Sequence, residues 1–203
     1  MRVKLLSLLA CLLAFAVHAA EPRSIVIVGD SLSAAYNMEV IESWPSLLQD
    51  RLERDGYAYR VFNSSIAGDT TQGGLARLPR LLKKQAPAIV LIELGGNDGL
   101  RGIQLDVTRG NLARMIEMSQ AAGAQVILAE MRIPPNYGAT YTERFHAMYG
   151  ELAEETGATL LPFLLEDIAL EPGMMMDDGI HPSIEAQPLI LDAVWAELEP
   201  LLN

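Results

Sequence analysis

The sequence predicts an α/β protein with three layers, in which helices cover both faces of a central parallel sheet of about five strands. Short apolar runs of strand length alternate with longer stretches whose apolar residues recur at helical spacing. The short runs are continuously apolar or β-branched, as expected for parallel strands buried on both faces. No repeat or linker-like segment interrupts the alternation, so we predict a single domain over residues 21–203.

Five segments fit the strand pattern, the last more weakly than the others: residues 24–28, 57–62, 88–94, 125–129 and 159–163. Between them, apolar residues share one helix face in four stretches: Trp44, Leu47, Leu48 and Leu52; Leu112, Met115, Ile116 and Ser119; Phe145, Met148, Tyr149 and Leu152; Ile190, Val194, Leu198 and Leu201. Another helix is predicted over residues 77–85, where Pro79 is expected to set the start of the regular part. Right-handed crossovers between these elements give a flavodoxin-like α/β/α sandwich.

Residues 1–20 have the pattern of a secretory signal peptide. Arg2 and Lys4 precede an apolar run over residues 5–17, and the small residues Ala19 and Ala20 follow. The run is shorter than the roughly 20 residues that span a bilayer, so we expect no stable membrane span. The sequence therefore predicts export across the inner membrane to the periplasm.

Composition excludes several classes of partner and cofactor. The formal net charge is −11, and it becomes −13 without residues 1–20, which carry Arg2 and Lys4 and no acidic residue. A protein needs clustered Lys and Arg to bind nucleic acid, so nucleic acid is not an expected partner of a chain with this negative charge. The single cysteine, Cys11, lies in the leader, and no histidine pair has zinc-type spacing. We therefore expect no metal and no cofactor. The oligomeric state is left open by the sequence, with a monomer as the expectation.

Polar motifs follow the predicted strands where a parallel sheet collects its binding groups. Gly29-Asp30-Ser31-Leu32-Ser33 follows the first strand, and Gly95-Gly96-Asn97-Asp98-Gly99 follows the third. Asp177-Asp178-Gly179-Ile180-His181-Pro182 precedes the last helix. Each motif alone also fits an ordinary turn or helix cap.

Together these motifs supply the parts of an acyl-transfer site. A serine hydroxyl needs a base within reach, and that base needs a partner that holds its tautomer. Ser31, His181 and Asp178 fit these roles as nucleophile, base and orienting group. His146 lies on a predicted helix face beside Phe145, where packing or exposure explains it.

A negative oxygen develops in acyl transfer and needs fixed hydrogen-bond donors. The candidates are the backbone N–H of Ser31, the backbone N–H of Gly68 and the side-chain amide of Asn97, which all follow predicted strands. We therefore expect these three groups to form an oxyanion hole.

The ordered motifs resemble the SGNH, or GDSL, hydrolase superfamily. The four residues that carry the resemblance are Ser31, Gly68, Asn97 and His181, and the similarity extends from about Ile25 to Leu202. The resemblance implies a secreted serine hydrolase of the SGNH fold that cleaves ester and thioester bonds. Its implied substrates are small-molecule or lipid acyl compounds, such as fatty acyl thioesters, lysophospholipids and aryl esters.

Apolar residues in the loops predict an acyl groove beside Ser31. Its expected members are Leu32, Ile133, Pro134, Tyr137 and Met176, with Met131, Met174 and Met175 as further candidates. Two alternatives stay open at this point. One is a carbohydrate O-acetyl esterase of the same fold, and the other is a periplasmic module that binds an anion or a flavin phosphate at the turns before helices.

Overall fold

A computed structural model describes residues 21–203 and contains one parallel sheet of five strands in the order β2-β1-β3-β4-β5. The strands are β1 (Arg23–Gly29), β2 (Tyr59–Asn63), β3 (Ile89–Glu93), β4 (Gln125–Ala129) and β5 (Thr159–Leu161). All four neighbouring pairs are parallel. The predicted α/β class and the five strands are thus confirmed, although β5 ends at Leu161 because Pro162 has no N–H to donate to a ladder.

Helices form layers on both sides of this sheet. They are α1 (Trp44–Arg54), α2 (Thr71–Gln85), α3 (Gly96–Leu100), α4 (Leu105–Ala121), α5 (Ala139–Thr156) and α6 (Gln187–Leu198), with 3-10 turns at Val40–Glu42, Pro135–Tyr137 and Glu199–Leu201. Helices α1 and α6 contact each other, and α4 contacts both α2 and α5. The sequence did not predict the short helix α3, which begins directly after the β3 turn.

The expected start of α2 near Pro79 is wrong, because the helix begins at Thr71. A proline inside a helix costs about 3 kcal/mol or more, since it removes one hydrogen bond and crowds the preceding turn. Two features offset this cost. The Thr71 N–H donates to the carboxylate of Asp98 (2.9 Å), and Leu78 and Leu82 are buried. Burying one such side chain contributes roughly 1.5–3 kcal/mol.

The central strands form the interior of the sandwich. Residues 25–28 of β1 and 90–92 of β3 are completely buried, which explains why their sequences read as continuous apolar runs. Trp44 packs at the start of α1, where its indole N–H donates to the carbonyl of Leu32 (3.1 Å). Its backbone N–H donates to Gln187 of α6 (3.0 Å). The loop after β1 is therefore tied to two helices.

The predicted leader, including Cys11, lies outside the described residues. Between residues 21 and 203, no helix is both long and apolar enough to cross a bilayer.

Candidate active site

Three side chains from two distant parts of the chain form one line of hydrogen bonds at the carboxyl edge of the sheet. Ser31 follows β1, and its Oγ lies 2.9 Å from Nε2 of His181. Nδ1 of His181 lies 2.7 Å from Oδ2 of Asp178. Both distances are within the normal range for hydrogen bonds. The structure therefore brings together the three residues that the sequence predicts as nucleophile, base and orienting group.

The loop before α6 fixes this geometry with its own backbone. Oδ1 of Asp178 accepts hydrogen bonds from the N–H of Ile180 (2.9 Å) and of His181 (3.0 Å). The backbone N–H of His181, its ring and the N–H of Ile180 lower the pKa of Asp178 from 3.8 to about 2. Asp178 is therefore a carboxylate at neutral pH, and it favours the tautomer of His181 that carries its proton on Nδ1.

Tyr36 is a site residue that the sequence analysis missed. Its ring stacks on the imidazole of His181, with centroids 4.1 Å apart and planes inclined by 28°. The residues on either side of it, Ala35 and Asn37, have positive φ angles of 56° and 54°. The one feature of the sequence that could have indicated this contact is the presence of an aromatic residue in the loop after the predicted nucleophile.

Asn97, a candidate oxyanion donor, is positioned by buried polar groups. It lies on α3, and its Nδ2 donates to Oδ2 of Asp30 (2.9 Å). The next residue, Asp98, is buried and accepts hydrogen bonds from the N–H of Thr71 (2.9 Å) and the hydroxyl of Thr108 (3.3 Å). Helix α3 is thereby attached to both α2 and α4, which fixes the position of Asn97.

The two backbone candidates for the oxyanion hole have free donors. Within residues 21–203, the N–H groups of Ser31 and Gly68 donate no hydrogen bond. Gly68 has a φ of +76°, a conformation that favours glycine. The guanidinium of Arg101 donates to the Gly68 carbonyl (2.8 Å) and so holds this turn against the end of α3.

A cavity of about 560 Å³ opens beside Ser31, His181 and Asn97. Of the predicted groove residues, Leu32, Ile133, Pro134, Met131 and Met175 line it. Leu100, Arg132, Pro135, Phe163, Leu165, Ala169 and Ile180 also line it, and the sequence analysis missed them. Several of these follow β5, which was the weakest predicted strand.

Tyr137 and Met176 are corrections to the predicted groove, because neither lines the cavity. Tyr137 turns to α3, where its hydroxyl donates to the carbonyl of Leu100 (3.0 Å). Met175 lines the cavity instead of Met176 and forms a β-bridge with Pro182. Successive side chains in extended backbone point to opposite sides, so only one of two adjacent methionines faces the cavity.

A profile of the GDSL-like Lipase/Acylhydrolase family matches residues 27–187, which include all of these residues. The chain belongs to this family. It is 49% identical to Esterase TesA of Pseudomonas aeruginosa, over the full length of both chains. It is also 48% identical to Thioesterase 1/protease 1/lysophospholipase L1 of Escherichia coli K12, over 92% of this chain and 88% of that protein.

A crystal structure of TesA has the same fold. Its TM-score is 0.86 at 50% identity, and the alignment covers 89% of this chain and all of the other. As a member of the GDSL-like Lipase/Acylhydrolase family, the chain is a serine hydrolase that acts on esters. The alternative of a module that only binds an anion or a flavin is therefore wrong.

Proposed function

We propose that the protein is a secreted serine esterase and thioesterase that works through Ser31, His181 and Asp178 and an acyl-enzyme intermediate. The observation that carries the proposal is the unbroken line of hydrogen bonds from Ser31 through His181 to Asp178, which ends in an apolar cavity. Fatty acyl thioesters, lysophospholipids and aryl esters are the proposed substrates. Export follows from the leader pattern of residues 1–20.

The first half of the reaction forms the acyl-enzyme. His181 Nε2 takes the proton of Ser31 as Oγ attacks the acyl carbonyl carbon. The carbonyl oxygen becomes negative and accepts hydrogen bonds from the N–H groups of Ser31 and Gly68 and from the Asn97 amide. Asp178 stabilises the imidazolium that forms. When the tetrahedral intermediate collapses, His181 gives its proton to the departing alkoxide or thiolate.

In the second half of the reaction, water hydrolyses the acyl-enzyme with the help of the same residues. His181 accepts a proton from water as the water oxygen attacks the acyl carbon on Ser31. A second tetrahedral oxyanion forms in the same hole, and its collapse releases the carboxylic acid and returns the proton to Ser31. A thioester needs no additional group, because the same proton transfer serves a sulfur leaving group.

The cavity lining supports acyl chains over carbohydrate esters as the preferred substrate. Ile133, Phe163 and Leu165 surround the space beside Ser31, and their side chains offer no hydrogen-bond partners for sugar hydroxyls. Each methylene of an acyl chain buried among them contributes up to about 0.8 kcal/mol. A sugar placed against these three side chains would lose hydrogen bonds to water that they do not replace.

Covalent labelling tests the nucleophile. A fluorophosphonate should modify the wild-type protein at Ser31 and leave Ser31→Ala unlabelled, as mass spectrometry of the peptide would show. Labelling of a different residue would contradict the proposed mechanism. Export is tested separately by sequencing the amino terminus of the protein recovered from cells, which should begin near Glu21.

Substrate class is tested with acetyl, octanoyl and palmitoyl esters, the matching thioesters and an acetylated xylan. We expect kcat/KM to increase from acetyl to octanoyl esters, and thioesters to be cleaved. Faster turnover of acetylated xylan than of octanoyl esters would favour the carbohydrate esterase instead.

A further inference from the structure

Two buried carboxyl groups lie directly behind the candidate oxyanion hole. Glu93 ends β3 with no exposed surface, and Asp30, which follows β1, is 2% exposed. Oε2 of Glu93 accepts hydrogen bonds from the Asp30 N–H (3.1 Å) and from the hydroxyl of Ser33 (2.7 Å). Burial of an acidic side chain requires that each of its oxygens has a partner or that the group is neutral.

The second oxygen of Glu93 identifies the position of a proton. Within residues 21–203, no donor reaches Oε1 of Glu93, although the atom is buried. The Glu93 side chain accepts the backbone N–H of Asp30, so the two carboxyl groups are neighbours in the same buried site. Two carboxyl groups that share a buried site do not both ionise, so one of them carries a proton. A proton on Oε1 turns an unpartnered acceptor into a donor and leaves one negative charge on the pair.

Asp30 is the member of the pair that remains ionised. Its Oδ1 accepts the N–H of Leu32 (3.1 Å), and its Oδ2 accepts the amide of Asn97 (2.9 Å). Each oxygen of the carboxylate thus accepts one hydrogen bond, and an ionised group has the capacity to accept a third from Glu93. A protonated Asp30 would lose part of that capacity. The proton therefore belongs on Glu93.

We propose that Glu93 and Asp30 are positioning residues, in which neutral Glu93 donates to the Asp30 carboxylate and Asp30 holds the Asn97 amide toward the oxyanion. The inference rests on the proposed role of Asn97. One Nδ2 hydrogen of Asn97 is bound by Asp30, and the other is left for the substrate oxygen. The neutral state of Glu93 also matters because a second negative charge would oppose the charge that develops on the oxyanion.

Gly29 provides the space for this arrangement. A Cβ at position 29 would lie 2.5 Å from Oε2 of Glu93 and 2.9 Å from the hydroxyl of Ser65. Any side chain there would displace the carboxyl group of Glu93. The glycine that precedes Asp30 is therefore required by the buried pair.

The ionisable surroundings agree with a proton on Glu93. Burial, and then the charge of Asp30, raise the pKa of Glu93 well above its usual 4.5. Burial also raises the pKa of Asp30, while the hydrogen bond from the Leu32 N–H and, more weakly, the charge of His181 lower it. The other groups close to the pair are Tyr149, whose own pKa is raised by burial, and Arg77, whose guanidinium donates to the Gly29 carbonyl (3.2 Å).

A pair of isosteric variants tests the assignment. Glu93→Gln keeps a neutral donor in place of Oε1–H and an acceptor in place of Oε2, so we expect its kcat to lie within about threefold of the wild type. Asp30→Asn has only one acceptor oxygen and cannot hold both Leu32 and Asn97. Its kcat should fall by about tenfold or more, toward the roughly 10²–10³-fold loss expected when an oxyanion donor is removed, with little change in KM.

The pH dependence of stability gives a readout that does not depend on catalysis. Because the folded pKa of Glu93 is raised, the unfolded chain ionises at this position from about pH 4.5 upward while the folded protein keeps its proton. Wild-type stability is therefore lost as pH rises through that window. Glu93→Gln lacks this loss, so its Tm relative to wild type should increase with pH. A constant difference would overturn the assignment.

Infrared spectroscopy covers the case in which a variant does not fold. The wild-type protein at neutral pH should show the C=O stretch of a protonated carboxylic acid, and the band should be absent from Glu93→Gln. Its absence from the wild type would overturn the proposal without reference to Asp30→Asn.

Asn97→Ala separates failure of this inference from failure of the proposed function. If Asn97→Ala leaves kcat unchanged, the oxyanion role of Asn97 is wrong, and this inference falls with it. If Asn97→Ala lowers kcat but Asp30→Asn does not, only the inference fails. If Asn97→Ala and Asp30→Asn each lower kcat, the variant that carries both changes should be no slower than Asn97→Ala alone, because both changes disable the same donor.

Discussion

The phenol ring of Tyr36 covers one face of the His181 imidazole at a centroid separation of 4.1 Å. This contact excludes water from that face and limits rotation of the ring about its side-chain bonds. Stacked aromatic pairs contribute about 0.5–1.5 kcal/mol beyond the area that they bury. Tyr36 therefore helps to hold the His181 ring in the orientation in which it is hydrogen-bonded to both Ser31 and Asp178.

Replacement of Tyr36 should slow catalysis modestly. We expect Tyr36→Ala to lower kcat/KM by about two- to tenfold, which corresponds to the stacking free energy. Tyr36→Phe keeps the ring and should stay close to wild type. If Tyr36→Phe loses as much activity as Tyr36→Ala, the hydroxyl and not the stacking is the important feature.

His181 and His146 form a matched pair for testing the base. His181→Ala removes the group that activates Ser31, so hydrolysis should fall by several orders of magnitude, as with other triads. His146 lies on α5 with Nδ1 2.9 Å from Oε1 of Glu130, and it does not line the cavity beside Ser31. His146→Ala should retain activity in the same steady-state assay. Similar losses in both variants would show that the effect is structural.

Asp178 should contribute to stability as well as to catalysis. Its pKa is lowered from 3.8 to about 2, so the ionised form stabilises the folded state above pH 3.8, and this contribution is lost as pH falls toward 2. Asp178→Asn has no carboxylate, so its stability has no such contribution to lose. Between these two pH values, the wild-type Tm should therefore fall more steeply than the variant Tm.

Activity of the same variant provides the second half of this test. Asp178→Asn should lower kcat at neutral pH by about 10²–10⁴-fold, because His181 loses the charge that stabilises its protonated form. The expected loss is no greater than that of Ser31→Ala. A variant with wild-type kcat would remove Asp178 from the mechanism.

Variants of Ile133 and Tyr137, which lie in the same loop, test which of its residues touch the acyl chain. Ile133 lines the cavity, whereas the hydroxyl of Tyr137 binds the carbonyl of Leu100. Ile133→Ala should lower kcat/KM for octanoyl esters more than for acetyl esters, because each methylene contact is worth up to about 0.8 kcal/mol. Tyr137→Phe should change both substrates equally. Equal losses for Ile133→Ala would place chain-length selection elsewhere in the cavity.

The parts of the site that the sequence predicted are those governed by sheet geometry. Ser31 and Asn97 follow adjacent parallel strands, and such strands end at one edge of a sheet. Asp178 and His181 are three positions apart in one turn, so their pairing is local. These relationships depend on the order of elements and not on the packing of individual side chains.

The parts that were missed depend on side-chain packing. Glu93 reads as the polar end of an apolar run, and only the assembled sheet shows it buried against Asp30. Tyr36 lies in a loop without a period, so nothing in the sequence aims its ring at His181. Pro79 misled the prediction of α2 because its local cost is opposed by tertiary burial of Leu78 and Leu82.

The hydrogen bonds of Trp44 to Leu32 and Gln187 have a consequence for biosynthesis. They attach the turn that carries Ser31 to α6, the helix that follows His181 almost at the end of the chain. The proposed nucleophile and base are therefore linked through the contact of α6 with α1. A growing chain carries Ser31 before His181 has been synthesised, so we expect it not to hydrolyse the acyl compounds that it meets. Catalysis is thus expected only from a chain in which α6 lies in place against α1, and the appearance of activity reports the formation of that contact.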